Sequence, residues 1–247
     1  MRTCTCQRAS FALISVCSLV LLFAAPSAAE HSCVQREKHA SLTFFLVDKS
    51  DKLTDTANLK QTLVAIKEMI KPGERLIVGL ISGTLKESRV IFDLVRPENS
   101  LWASKLKIRA QERNFSECFA EMEQAVLLQS ESSERSAILE TFAFIHDVLA
   151  SDSGSPKRIV LFSDMLQNTD SLSFYGAQPV NADAALQKAK SESLVYDLKG
   201  VEVYAAGTGG GSSEKKDRQI KAFWEKYFTQ SGAALRFYGP VLLGEAG

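Results

Sequence analysis

Histidine, tryptophan and cysteine are scarce in this 247-residue chain, with 3, 2 and 5 copies. His31 and His146 stand at no metal-ligand spacing and read as surface or packing residues. Neither a His-Glu-x-x-His pair nor a Gly-x-Ser-x-Gly elbow occurs, and Cys118 has no base at a recognisable spacing, so the common hydrolase arrangements find no motif. Charge of one sign is missing too. The 29 basic and 29 acidic residues form no long single-sign block, no DNA- or RNA-binding signature is visible, and no nucleic-acid partner is expected. Internal repeats and low-complexity tracts are absent, which excludes solenoid architectures.

Long hydrophobic runs are also lacking. The stretch from Phe11 to Ala25 falls short of the roughly 20 residues a spanning helix needs. It follows Arg2 and Arg8 and precedes Pro26, Ser27, Ala28 and Ala29, the layout of a secretory signal with small residues at the cleavage positions. Residues 1–29 are therefore expected to be a signal peptide, which gives a periplasmic or secreted mature chain without a membrane span. Lipidation at Cys17 is disfavoured because Val16 precedes it where a lipoprotein signal wants Gly or Ala. Cleavage leaves 27 basic against 29 acidic residues, a net charge of −2, and it leaves Cys33 and Cys118 as the only thiols. In an oxidising compartment the two either pair or stay unlinked, with Cys118 buried on an amphipathic helix.

What the chain does have is alternation of strand-length and helix-length patterns. Leu42 to Val47 is a short apolar run that ends in Asp48, and Leu59, Leu63, Ile66 and Ile70 then recur at helical spacing up to Pro72-Gly73. Arg75 to Ile81 hardly alternates and reads as a strand buried on both faces. Arg89 to Val95 follows too closely for a crossover helix, so these two strands should be antiparallel neighbours. Helices are expected over 112–128 and 136–149, a central strand over 157–162, a helix over 182–198, a strand over 201–206, a helix over 214–228 and a last strand over 234–238. The aromatic cluster Phe223, Trp224, Tyr227 and Phe228 shares helix faces and is read as core. This order implies a three-layer, doubly wound α/β fold with a mainly parallel six-stranded sheet and one antiparallel edge strand. The domain is expected over 41–240, between an N-terminal extension, 30–40, and a tail, 241–247.

In such a sheet, ligand-facing loops leave the carboxyl ends of the parallel strands. Two strands end in aspartates, Asp48 and Asp164, and Ser50 adds a hydroxyl two residues after the first. Hydroxyl and carboxylate oxygens are ligands for a hard cation such as Mg²⁺, which can keep a position open for an acidic group from a partner.

These residues carry a resemblance. The element order, the Asp48-Lys49-Ser50 start, Phe162-Ser163-Asp164-Met165 and the run from Val201 to Gly209 resemble a von Willebrand factor A domain, a Rossmann-like fold, across almost all of the mature chain. That family's metal-ion-dependent adhesion site uses Asp-x-Ser-x-Ser, a Thr before a later helix and an Asp after the fourth strand. The resemblance assigns these roles to Asp48, Ser50, Ser136 (for the Thr) and Asp164, with Mg²⁺ as the implied cofactor. Lys52 stands where the second serine is expected, and its ammonium would repel a metal or neutralise Asp48 or Asp164 in its place. The site is then degenerate, and a Mg²⁺ site and a lysine-filled vestige both remain open.

Three functions follow as expectations. The first is a non-enzymatic module that binds a protein at the carboxyl rim. The second is an enzyme or phosphate binder using the loop Gly207 to Ser213, which follows a strand and precedes a helix but matches neither the dinucleotide fingerprint nor a Walker loop. The third is an envelope scaffold with a dead metal site.

Overall fold

In the computed structural model, which describes residues 39–48, 56–98, 104–128, 133–152, 157–176, 178–209 and 213–243, β1 (Ser41–Asp48) is buried along its whole length. It is buried because it has partners on both edges and helices on both faces. Parallel pairing joins β1 to β2 (Glu74–Ile81) on one side and to β4 (Lys157–Phe162) on the other. Beyond them lie β5 (Val201–Ala206) and β6 (Ala234–Tyr238), both parallel, and β3 (Arg89–Val95), which pairs antiparallel with β2. The six-stranded order is β3-β2-β1-β4-β5-β6, a mainly parallel sheet with one antiparallel edge strand, as the element order implied. All described residues belong to one compact unit, Ser32–Gly247.

Alternate side chains of β1 feed two separate cores. Leu42, Phe44 and Leu46 pack with α3 (Ile138–Ser151), α4 (Ala182–Ser191) and α5 (Glu214–Gln230). Phe45 and Val47 face the other way, onto α1 (Thr56–Met69) and α2 (Lys105–Leu128). This two-sided burial explains why the inner strands read as continuous apolar runs instead of alternating ones. The aromatic cluster of α5 is core: Phe223, Trp224, Tyr227 and Phe228 are all fully buried, and Phe142 of α3 stacks on Tyr227 with centroids 5.7 Å apart.

Several helix boundaries differ from the sequence reading, three of them with a local cause. α2 begins at Lys105, seven residues before the expected 112, because its first two turns are good helix formers on an exposed surface and show no apolar stripe. Ser136, expected at the start of a helix, lies outside α3 and forms an isolated antiparallel bridge with Asn168. α4 ends at Ser191 instead of Leu198: Ser193 turns to a φ of +57°, and Leu194 and Leu198 are buried from irregular backbone. Their apolar spacing continued the helical pattern although the helix had stopped.

Candidate functional site

The parallel register that pairs Val47 with Phe162 brings the residues after β1 and β4 side by side. Asp48, the last residue of β1, is 7 % exposed. Its Oδ2 accepts a hydrogen bond from Ser163 Oγ at 2.7 Å and another from Ser136 Oγ at 2.5 Å. Both hydroxyls are buried, so one carboxylate oxygen is held by two donors in a site of low water access.

Each donor is fixed by its own backbone. Ser163 donates its N–H to the Ala206 carbonyl, and its Oγ accepts from Met165 N at 2.9 Å. Gly207 makes this approach of β4 and β5 possible: its φ is +84°, and a Cβ there would lie 3.1 Å from Ser163 N. Ser136 exchanges both backbone hydrogen bonds with Asn168, and the next residue, Ala137, donates to the Ser82 carbonyl.

Asp164 follows directly, half-buried at the lip, where its Oδ1 accepts from Leu166 N at 2.8 Å. The turn that presents it is unusual. Met165 has a φ of +64°, and its carbonyl accepts from the buried Trp224 indole at 2.9 Å. Tyr238 reports the same neighbourhood: burial, then the carboxylates of Asp217 and Asp164, push its phenol well above the ordinary value.

A second network locks the loop after β4 to the start of α3. Ala137 makes no side-chain cap at that helix. Gln167, fully buried, replaces it by accepting from Leu139 N at 2.9 Å, while its amide donates to Glu140 and to Thr169. Thr169 Oγ1 donates to the other oxygen of Glu140 at 2.7 Å. The segments carrying Ser136 and Asp164 are thereby joined.

Of the residues assigned by resemblance, Asp48 and Ser136 touch, and Asp164 lies on the same rim one residue beyond Ser163. Ser50 and Lys52 lie outside the described residues. Ser163 and Gln167 were not singled out from sequence. A serine next to an aspartate at the end of a central strand offered a signal for the first; Gln167 offered none. Oxygen donors fit a hard cation, and a hydroxyl that donates its proton to Asp48 keeps lone pairs for one. Among the described residues no group of three or more His, Cys, Asp or Glu could hold a metal, so a cation here would draw on hydroxyls and two carboxylates.

The glycine-rich loop is engaged elsewhere. Gly207 N donates to the Pro240 carbonyl and Thr208 N to that of Gly239, so its first two amides hold the chain after β6. Ser213 caps α5 by accepting from Lys216 N, and residues 210–212 lie outside the described residues. Cys118 is disulfide-bonded; Cys33 lies outside the described residues.

No protein-family profile matches the sequence, and no curated protein does. Solved structures are similar at low identity. The ArnB paralog VWA2 of Sulfolobus acidocaldarius matches 81 % of this chain at 13 % identity and a TM-score of 0.45, and the chain spans 41 % of that protein. BatB of Bacteroides thetaiotaomicron matches 83 % at 11 % identity, with 91 % of its own length covered and a TM-score of 0.42. The pilus adhesin SpaC of Lactobacillus rhamnosus GG matches 77 % at 13 % identity, with 27 % of its length covered and a TM-score of 0.42. Identities and scores of this size carry no statement about activity or partners.

Proposed function

We propose that this domain, von Willebrand factor A-like in fold, is an exported, non-enzymatic module that binds a protein partner through the carboxyl rim of its sheet. The observation that carries the reading is the clasp of Ser136 and Ser163 on Asp48, with Asp164 at the lip beside it. Three segments that are distant in sequence converge there, and their backbones are fixed before any partner arrives. Pre-organisation of that kind lowers the ordering cost of binding.

Asp48, Ser136 and Asp164, with Ser50 from the following loop, would hold Mg²⁺. When bound, the ion would supply an open coordination position for a partner carboxylate. Lys52 favours a second form of the same reading, in which its ammonium takes the place of the ion and the rim recognises its partner without metal. The phosphate-cradle alternative is weakened by the engagement of the Gly207 and Thr208 amides.

Two measurements test this. Mg²⁺ at about 100 times its Kd should stabilise the chain by about 2.7 kcal/mol, a rise of several degrees in Tm that Asp164→Ala abolishes. A flat response to both Mg²⁺ and chelator would remove the metal and leave the lysine form. The Asp48→Ala/Asp164→Ala double variant, folded by circular dichroism, should lose at least tenfold in affinity for whatever partner the wild type crosslinks in its native source. Undiminished capture by that variant would reject the rim in either form.

A further inference from the structure

α2 shows solvent a face that its own core does not use. Leu106, Ala110, Arg113, Glu117, Ala120 and Gln124 recur at alternating steps of four and three, and all six are exposed. That spacing is the seam along which one helix packs on another. Leu106, at 77 % exposure, is among the most exposed large apolar side chains of the described residues. The other face of the helix is buried, with Phe115, Phe119, Met122 and Val126 in the core beside β3 and α1.

Charge along α2 is divided by halves. Lys105, Lys107, Arg109 and Arg113 stand in the first half against Glu112 alone, while Glu117, Glu121 and Glu123 stand in the second with no base. Glu112 is engaged by Arg96, whereas among the described residues no ion pair engages the other four cations, Glu117 or Glu123. The helix dipole favours acids in the first turn and bases in the last, so this arrangement opposes it at both ends. Arg109 and Arg113 also repel each other one turn apart.

We propose that the chain forms a two-fold dimer in which the exposed faces of two α2 helices pack antiparallel. With the axis level with residue 115, Arg113 of each copy meets Glu117 of the other, and Ala110 meets Ala120, which lets the helices approach to roughly 8–10 Å. On the flanks Arg109 lies across from Glu123, and Lys107 across from Glu121. Leu106 is covered by the turn that carries Gln124 of the other copy. A parallel pair would set base on base and acid on acid. The seam is about 36 Å long and about 10–12 Å wide, so it covers roughly 400 Å² per copy, half of what a stable complex buries. The dimer is therefore weak, with a Kd on the order of micromolar or above. Because α2 runs from the amino end of the sheet, after β3, to the carboxyl end, before Ser136, the two rims of the dimer face opposite ways. This inference does not rest on the rim reading.

Sedimentation velocity on the mature chain, from micromolar to near-millimolar concentration, should show a monomer–dimer equilibrium that weakens as salt is raised. Arg113→Glu and Glu117→Arg, both at exposed positions, should each weaken self-association at least tenfold. Mixed together, the two variants should associate as the wild type does, because opposite charges then face each other again. The Arg113→Glu/Glu117→Arg chain should likewise recover its own dimer. A wild type that stays monomeric throughout, a dimer that survives either reversal, or a mixture that fails to associate overturns the proposal. Wild-type monomer that binds vesicles containing anionic lipid, with binding lost in Arg113→Glu and kept in Glu117→Arg, would overturn it too and assign the basic half of α2 to a membrane surface.

Discussion

A carboxylate oxygen shielded from water must find donors in the protein, and Asp48 Oδ2 finds two hydroxyls. Removing either leaves the acceptor under-satisfied in a buried place. Ser136→Ala and Ser163→Ala should each destabilise by about 1–3 kcal/mol. The double variant should cost more than the sum, since each hydroxyl partly compensates for loss of the other at the shared acceptor, and urea unfolding of the three variants measures that coupling. Gly207 contributes by lacking a side chain. Gly207→Ala combines a positive φ with a Cβ 3.1 Å from the Ser163 backbone. It should therefore destabilise by about 1 kcal/mol or more and weaken binding at the rim, whereas a glycine in open space, such as Gly209, should tolerate alanine at the cost of its positive φ alone.

Among the elements, α5 does more than fill a core. Its aromatic residues bury one sheet face, and Trp224 also reaches the Met165 carbonyl in the turn that presents Asp164. Trp224→Phe keeps most of the apolar area and removes the donor. It should cost about 1–3 kcal/mol and loosen the turn, seen as faster amide exchange at Met165 and Leu166. β3 and α2 pack together on the opposite flank. How far each element was legible from sequence depended on what stopped it. Strands β3, β4, β5 and β6 start and end where their apolar runs do. α4 was over-extended because Leu194 and Leu198 are buried for tertiary reasons after Glu192 and Ser193 have already ended the helix.

The whole molecule holds two cores on either side of one sheet, and its buried phenols tie stability to alkaline pH. Burial raises the pKa of Tyr227 and of Tyr238 above the ordinary value of 10.0. A phenol that resists ionisation when folded stabilises the fold fully below pH 10, and that contribution falls as pH rises past 10, where the unfolded chain ionises more readily. The urea midpoint should hold between pH 7 and 9 and drop between pH 10 and 12. Tyr227→Phe should flatten the drop while costing about 1 kcal/mol at neutral pH for the lost bond to the Leu194 carbonyl. A variant whose alkaline drop equals that of the wild type would remove Tyr227 as its source.

The sequence by itself determined the order and type of the elements, the antiparallel pairing of β2 with β3, and the placing of Asp48 and Asp164 at strand ends. Those follow from periodicity and connection length, which are local. Tertiary structure alone decided that Ser136 leaves its helix, that Ser163 joins it on Asp48, and that Gln167 caps α3 from another segment. The two hydroxyls bond a residue 88 and 115 positions away, and Gln167 bonds one 28 away. Separations of that length leave no periodic trace in the chain, because only the parallel register of the sheet brings the ends of β1 and β4 to the same lip.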